Sequence, residues 1–335
     1  YLLQISFIYF FCGYLKTHPQ WTTDYTAAGI ALSGMPFVKP LGHGLLQYPA
    51  LLKFLTVAVL NLERWGPLFF FCPFYTVPMR VITVVAFMCF HVGLLLTMEL
   101  GLFQWISLTA LLGFLPTVFW DKITGFLKQK PKHKAAQIAS RKKSGGLIKP
   151  LYLNITVGLL ILYVLWWNIG GLNNSKLPAF PQEFKWIGKA LNLNQRWVMY
   201  APQPFWKDGW FVIPAKLQDG RQVDMLQDSE KLIWHEPRYL PKHYKNYRLT
   251  LFYFRMYQQR YAQYAKPWAE YLCREWNSQH IAGEQVQSLE IIFMETEILP
   301  NYKKTDPQQK LIFSQDCSLV NHPESKTYLL KVHEK

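Results

Sequence analysis

The run LYLNITVGLLILYVLWWNIG, residues Leu151–Gly170, is the clearest structural signal in this sequence. It contains no charged side chain and is as long as the roughly 20 apolar residues that a helix needs to cross a bilayer. The segment directly before it, Asp121–Lys149, carries nine lysines and arginines and a single acid. Because short cytoplasmic loops are enriched in Lys and Arg, we predict that this segment is cytoplasmic and that residues after Gly171 are extracytoplasmic, in a periplasm or a lumen.

Further apolar runs precede this one and predict more membrane-spanning helices. They are the run that ends at Leu15 and the runs Pro49–Phe74, Val77–Glu99 and Gly101–Trp120. The chain begins at Tyr1 inside an apolar run, so we expect additional helices before it. Residues 1–172 are therefore predicted to form a multi-pass helical bundle with about five visible spans.

Charged residues become frequent after residue 172, which predicts a second domain, 173–335, in a polar solvent. Gly209–Leu217 followed by Gln218-Asp219-Gly220 predicts a β-hairpin, because Asp-Gly supplies the positive φ angles of a tight turn. Apolar and aromatic residues at helical spacing predict one long amphipathic helix from Tyr247 to Trp276, bent at Pro267. Strands are predicted at residues 288–298, 310–316 and 327–333. The fold class is thus a membrane helical bundle with a C-terminal α+β extracytoplasmic domain.

The formal net charge of +15 raises the question of nucleic acid as a partner. Much of this charge lies in the basic segment between two apolar runs, where membrane topology accounts for it, so we predict membrane lipids and no nucleic acid as partners. The histidines are scattered without ligand spacing, so no metal site is predicted. Cys273 and Cys317 both fall in the predicted extracytoplasmic domain, where a disulfide is permitted, but the sequence leaves their pairing open.

Ionisable groups inside lipid-spanning runs are costly unless they are paired or solvated, which singles out Glu63, Arg64 and His91. One interpretation is that they join helices through ion pairs and hydrogen bonds. The other is that they line a polar cavity for a substrate head group. Lys16, at the outer end of the first run, either extends its ammonium group to the interface or acts as a base.

Several motifs resemble the horizontally transferred transmembrane (HTTM) domain family, which includes vitamin K-dependent γ-glutamyl carboxylase. They are Q-x-S-F-I-Y-F-F-C-G-Y-L-K-x-x-x-x-W (Gln4–Trp21), L-x-L-E-x-x-G-P-L (Leu60–Leu68) and F-H-V-G-L-L-L-T-M-E-L-G-L-F (Phe90–Phe103). The segment Trp197–Gly220, which begins WVMYAPQPFW, resembles the exported domain of many bacterial members.

The resemblance implies a site for a reduced quinone of the vitamin K type. Lys16 matches the lysine that deprotonates the quinol, His91 matches a functional histidine, and Glu63 is expected beside them. We expect Arg64 and Trp21 to contact the cofactor. This chain has Leu15-Lys16 where the carboxylase has two consecutive lysines.

Two functional hypotheses follow. The first is a membrane enzyme that uses a quinol and a lysine base for carboxylase-like or oxidoreductase chemistry, with a protein substrate on the extracytoplasmic side. The alternative is a non-catalytic membrane protein whose exported domain binds or assembles a protein partner. The aromatic residues Trp197, Trp206 and Trp210 and the aromatic face of the long helix would supply its surface.

Overall fold

The computed structural model describes residues 1–34, 36–127, 151–172, 180–237 and 239–320. Most of the predicted cytoplasmic segment and the predicted strand at 327–333 lie outside these residues. The described chain is helical over its first part and ends in a small antiparallel sheet, which confirms this part of the predicted fold class.

The chain forms two compact units, and each is assembled from separate stretches of sequence. The first unit comprises Tyr1–Ala27, Lys53–Gly93 and Leu102–Pro204. The second unit comprises Ala28–Leu52, Leu94–Gly101 and Phe205–Lys335. The division predicted at residue 172 from composition stays a prediction.

The helices that precede the sheet differ widely in length. They are α1 (Leu2–Leu15), α2 (Pro19–Thr22), α3 (Ala27–Gly34), α4 (Pro40–Leu45), α5 (Pro49–Phe69), α6 (Thr76–Thr97), α7 (Phe103–Leu112), α8 (Thr117–Leu127), α9 (Leu151–Ile169) and α10 (Lys185–Ala190). Two of them, α6 and α9, are long and apolar enough to cross a membrane. The other predicted spans stay predictions.

The predicted span Gly101–Trp120 is not one straight helix. It is divided into α7 and α8, whose axes differ in direction by 90°. The physical reason is Pro116, which directly precedes α8 and disfavours the helical conformation of the residue before it. If this bent pair is counted as one span, up to three segments could cross a membrane.

Aromatic rings form the core of the first unit. Phe70 stacks on Phe114 and on Phe87, with ring centroids 4.0 and 5.5 Å apart, and Tyr9 lies 4.2 Å from Phe87. These contacts join α1 and α6 to the segments that follow α5 and α7. Val84 and Leu111 complete this buried cluster.

The sheet of the second unit is built around one long strand. Its strands are β1 (Lys207–Val212), β2 (Pro214–Leu217), β3 (Gln222–Asp224), β4 (Val286–Glu297) and β5 (Gln308–Asp316). All pairings are antiparallel, and β4 pairs with β1, β2 and β5. The pairing of β2 with β3 confirms the predicted hairpin, and Gly220 in its turn has a φ of +90°. The predicted strands at 288–298 and 310–316 correspond to β4 and β5.

A short helix, α11 (Leu240–His243), precedes the predicted long helix. The predicted helix itself is broken into α12 (Tyr247–Tyr257), a 3₁₀ segment (Gln259–Tyr264) and α13 (Ala265–Gln279). Trp268 donates its indole N–H to the Tyr253 hydroxyl at 3.1 Å. In a straight helix these two residues would be about 22 Å apart along the axis, so this contact requires the break. The chain leaves the helical conformation at Gln258, nine residues before the predicted bend at Pro267, which lies in the first turn of α13.

The core of the second unit lies between the sheet and the helices α12 and α13. Trp210 is only 1% exposed in this core, so the prediction that it belongs to an exposed aromatic surface is wrong. The reason is that both faces of β1 are covered, since the consecutive residues from Asp208 to Val212 are all buried. Trp206 remains exposed and Trp197 is partly exposed.

A buried ion pair connects β1 with the segment that follows β4. The Lys304 ammonium lies 2.6 Å from an Asp208 carboxylate oxygen and also pairs with Glu236. Burial raises the pKa of Asp208 to about 6, against the opposing effect of Lys304. Asp208 therefore binds a proton more tightly in the folded protein than in the unfolded chain.

A disulfide joins Cys273 in α13 to Cys317, which directly follows β5. The Cα atoms are 5.5 Å apart and the two residues are separated by 44 positions in the sequence. The disulfide that the sequence left open is therefore present, and it attaches α13 to the end of β5, an edge strand of the sheet.

We expect the double variant Cys273→Ser/Cys317→Ser to lower the free energy of unfolding of the second unit by roughly 2–4 kcal/mol, because the unfolded chain loses a cross-link. Thermal unfolding of the full chain in detergent, followed by near-UV circular dichroism, measures this change. Cys89→Ser, which removes an exposed free cysteine, is the control and should leave the transition unchanged. Equal unfolding temperatures for the double variant and the wild type would contradict the prediction.

The free energy of unfolding of the second unit should fall as the pH rises from about 4 to about 6. The folded protein holds the Asp208 proton more tightly than the unfolded chain does, and this advantage is lost as the pH approaches the folded-state pKa of about 6. The variant Asp208→Asn should flatten this part of the profile, whereas Asp306→Asn, at an exposed position, should not. Chemical unfolding at a series of pH values tests both variants. A slope that is the same in Asp208→Asn and in the wild type would refute this assignment.

Candidate functional site

One face of α1 carries the polar side chains of an otherwise apolar helix. Tyr9, Cys12 and Lys16 follow one another at spacings of three and four residues, which places them on the same side of a helix. All three are buried, and Lys16 is only 2% exposed. An ammonium group that is hidden from water requires a partner of opposite charge.

Glu63 of α5 is that partner. Its carboxylate forms an ion pair with the Lys16 ammonium group, and Glu63 is itself only 4% exposed. The same ammonium group also lies 3.1 Å from the Cys12 sulfur and 4.9 Å from the centre of the Trp21 ring. The Lys16 ammonium group is therefore buried and paired with Glu63, and does not extend along the helix end into solvent.

His91 joins this group of residues through Tyr9. The His91 Nε2 atom and the Tyr9 hydroxyl are 2.8 Å apart, whereas His91 Nδ1 is buried without a hydrogen-bond partner in the described chain. The ring of Phe103 lies 5.6 Å from the imidazole. Within the described residues, no hydrogen bond joins His91 directly to Lys16 or Glu63, and its contact with the helix face that carries Lys16 is the one with Tyr9.

Arg64 has a different environment from its neighbour Glu63. Its guanidinium donates to the backbone carbonyls of Gly13, at 3.0 Å, and Lys16, at 2.9 Å. These carbonyls belong to the end of α1, where the helix leaves its last acceptors unpaired. Arg64 thus caps α1, and its predicted contact with a cofactor stays a prediction.

Gly13 allows α1 and α5 to approach each other closely. A Cβ atom at this position would lie 2.9 Å from the Arg64 backbone nitrogen and 3.0 Å from the Glu63 carbonyl carbon. Small residues commonly permit such close contacts between membrane helices. The glycine lies one turn before Lys16, so this close contact brings Glu63 within reach of the ammonium group.

A segment late in the first unit covers the site. The Trp21 indole N–H donates to the Tyr200 carbonyl at 2.9 Å, and the backbone N–H of His18 donates to the Pro202 carbonyl at 3.3 Å. Cys12 lies 3.7 Å from the Met199 carbonyl. Residues 199–202 of the WVMYAPQP motif therefore contact the end of α1 and the residues that follow it through their backbone carbonyls.

Sequence reasoning identified Lys16, Glu63 and His91 but not the residues that connect them. Tyr9 and Cys12 were missed, although their helical spacing with Lys16 was a usable signal. Gly13 and the carbonyls of residues 199–202 carried no comparable signal, because backbone contacts between distant segments leave no local pattern.

An apolar groove of about 490 Å³ lies between α5 and α6. Leu62 and Trp65, which flank Glu63 and Arg64 in the sequence, form part of its wall together with Gly66. Its other lining residues are Asn61, Phe69, Ile82, Thr83 and Ala86. The groove is large enough for an aromatic ring or a stretch of hydrocarbon chain.

The arrangement is suited to moving protons in a dry environment. A buried ammonium–carboxylate pair can redistribute one proton, and the Tyr9–His91 hydrogen bond offers a second path for one. Within the described residues, no group of three or more His, Cys, Asp or Glu side chains could hold a metal ion.

Comparisons of this chain with protein-family models, curated proteins and solved structures found no match. The resemblance to the HTTM family rests on the motifs quoted above.

Removing one partner of the Lys16–Glu63 pair should destabilise the first unit. We expect Lys16→Met and Glu63→Leu each to cost roughly 3–5 kcal/mol, because each leaves a buried charge unpaired. The double variant should recover most of this loss, since it buries no charge. Melting temperatures in detergent measure all three variants.

Lys53→Met is the matched control, because Lys53 is an exposed lysine in α5. It should melt like the wild type. If the double variant melts no higher than either single variant, the two side chains are not coupled and the ion pair does not account for their effects.

Proposed function

We propose that this chain is an integral membrane protein related to the HTTM family, in which Lys16 acts as a base toward a reduced quinone. The observation that carries this proposal is the buried Lys16–Glu63 pair on the face of α1 that also bears Cys12 and Tyr9. Buried ionisable residues in membrane helices are commonly functional.

The residues present suit a quinone. A hydroxyl group of a reduced quinone can donate a hydrogen bond to a base, and its ring requires an apolar environment. Lys16 and Glu63 would face the polar end, and Trp21 would provide an aromatic surface beside the ammonium group. The groove lined by Trp65 and Phe69 would accept the ring or its hydrocarbon tail. When bound, a reduced quinone supplies two electrons and two ionisable hydroxyl groups.

Lys16 can accept a proton only in its neutral form. In this site Glu63 is positioned to hold the ammonium proton, which converts the charged pair into an amine and a carboxylic acid. Exclusion of water reduces the advantage of the charged pair, because both ions lose their hydration. The Lys16 nitrogen would then accept the proton of the substrate hydroxyl, and Glu63 would release its proton in a later step.

His91 is proposed to position Tyr9. The imidazole interacts with the Tyr9 hydroxyl through Nε2 and is surrounded by aromatic rings, including that of Phe103. This orients the hydroxyl on the face of α1 shared with Lys16. Arg64 holds the carbonyls at the end of α1, so it maintains the position of Lys16 rather than its charge.

The second unit is proposed to lie on the extracytoplasmic side. Its Cys273–Cys317 disulfide supports this location, because such bonds persist in oxidising compartments. The basic segment Asp121–Lys149 supports the same orientation. A protein substrate or partner would be met on that side.

A second candidate function is partner binding without catalysis. The exposed neighbours Phe205 and Trp206 favour it, since adjacent exposed aromatic side chains often mark protein interfaces. In this case the Lys16–Glu63 pair would serve to join α1 and α5.

Extraction of lipids from the purified chain tests the proposal. We expect a quinone to co-purify with the wild type in an approximately equimolar amount, and Lys16→Ala to abolish quinol oxidation by the membranes. Lys53→Ala is the control and should retain both the quinone and the activity. Liquid chromatography with mass spectrometry quantifies the quinone, and absorbance spectroscopy follows its oxidation.

If the wild type contains no quinone and Lys16→Ala retains full function in cells, the enzyme hypothesis fails. The partner-binding hypothesis would then be tested by Phe205→Ser and Trp206→Ser, which should impair that function without affecting folding.

A further inference from the structure

The helix α13 presents aromatic and acidic side chains that the proposed quinone site does not use. Trp268, Tyr271, Glu275 and Trp276 recur at helical spacing along it. Ala269 and Cys273 of the same helix are buried in the core of the second unit, and Trp268 and Trp276 pack against that core while remaining partly exposed.

Two adjoining cavities lie along this face, and we call them together the α13 cleft. The first has a volume of about 330 Å³ and the second about 180 Å³. Asp228, Trp276 and His280 line both cavities, so they mark the junction between them. The size is within the range of small-molecule sites.

The walls of the α13 cleft carry more acidic than basic side chains. Its carboxylates are those of Asp228, Glu230, Glu275 and Glu284, and its cations are Lys245 and Arg221. An acidic cleft is notable in a chain with a formal net charge of +15. The excess of carboxylates favours a ligand of positive charge.

Two of these carboxylates are available to a ligand. Glu230 and Glu284 are paired with Arg221, at 2.8 and 3.0 Å. In the described chain, neither Asp228 nor Glu275 belongs to an ion pair within 4 Å, and both are exposed. One Glu275 carboxylate oxygen accepts a hydrogen bond from the Gln279 side chain at 2.7 Å. Asp228 follows β3, Glu275 lies on α13, and both line the first cavity.

The aromatic rings of the α13 cleft are held in place by their own polar atoms. The Trp276 indole N–H donates to the Glu284 carbonyl at 3.0 Å, and the Trp268 indole N–H donates to the Tyr253 hydroxyl. Trp276 stacks on His280 with ring centroids 4.2 Å apart, and Trp268 lies 5.2 Å from Tyr271. The faces of such rings attract organic cations.

The backbone beneath these rings is also fixed. Asn277 accepts a hydrogen bond from the Val286 backbone N–H at 2.7 Å and donates to the Val286 carbonyl at 3.3 Å, which attaches α13 to β4. The Cys273–Cys317 disulfide attaches the same helix to the end of β5. A wall that is rigid before binding loses little entropy when a ligand is bound.

We propose that the α13 cleft binds a small organic cation with more than one ammonium group, of the diamine or polyamine class. The carboxylates of Asp228 and Glu275, which form no ion pair within the described residues, would pair with the ammonium groups, and the rings of Trp276 and Tyr271 would cover the alkyl chain. Because the cavities meet at Asp228, a linear ligand can occupy both. This proposal is independent of the quinone site.

Isothermal titration of the full chain in phosphatidylcholine nanodiscs with spermidine tests the proposal. We expect saturable binding in the micromolar to millimolar range, and Asp228→Asn and Glu275→Gln should each weaken it about five- to tenfold. Tyr271→Leu, which removes a hydroxyl that forms no hydrogen bond with the described residues, should weaken it about threefold or more. Glu270→Gln is the matched control, because Glu270 is in α13 but does not line the cleft.

Two ligand controls separate the alternatives. A blocked tri-lysine peptide tests whether the cleft instead takes the side chains of a protein, and a neutral diol of similar length tests the need for charge. The proposal is overturned if spermidine does not bind, if the diol binds equally well, or if only the peptide binds. It is also overturned if the double variant Asp228→Asn/Glu275→Gln, folded by circular dichroism, binds spermidine like the wild type.

Discussion

Burying an ammonium group among apolar helices is possible only when a carboxylate meets it, and the first unit is organised around this constraint at Lys16. The chain places Lys16 directly after α1 and supplies Glu63 from α5, 47 residues later in the sequence. Gly13 permits the close approach of the two helices, and Arg64 holds the final carbonyls of α1. Each of these residues serves the same requirement, since an unpaired charge at this depth would cost several kcal/mol.

The pair is a structural contact that joins α1 to α5, and in the proposed function it is also the group that moves one proton. The covering segment, residues 199–202, keeps the site dry through its backbone contacts with Trp21 and His18. A site that is rigid and dry before a substrate arrives is suited to acid–base chemistry, because little reorganisation is needed when charge moves.

The second unit depends on α13 in a comparable way. Cys273 of this helix is buried in the core and carries the disulfide to Cys317, while Trp268 and Trp276 both pack against the core and line the α13 cleft. The hydrogen bond from Trp268 to Tyr253 folds α13 back toward α12. The segment between these helices contains no proline or glycine, and Pro267 follows it in the first turn of α13.

Periodicity, turn chemistry and the cost of burying charge were enough to predict the apolar runs, the hairpin of β2 and β3, and the unusual charges at Lys16, Glu63 and His91. Long-range packing, which no local pattern reports, sets the pairing of Lys16 with Glu63, the contact of Tyr9 with His91 and the disulfide between Cys273 and Cys317. It also divided the aromatic residues, with Trp210 in the core and Trp276 in a cleft. The physical reason is range: local patterns report neighbours within about four residues on a helix, whereas these contacts depend on how distant segments pack.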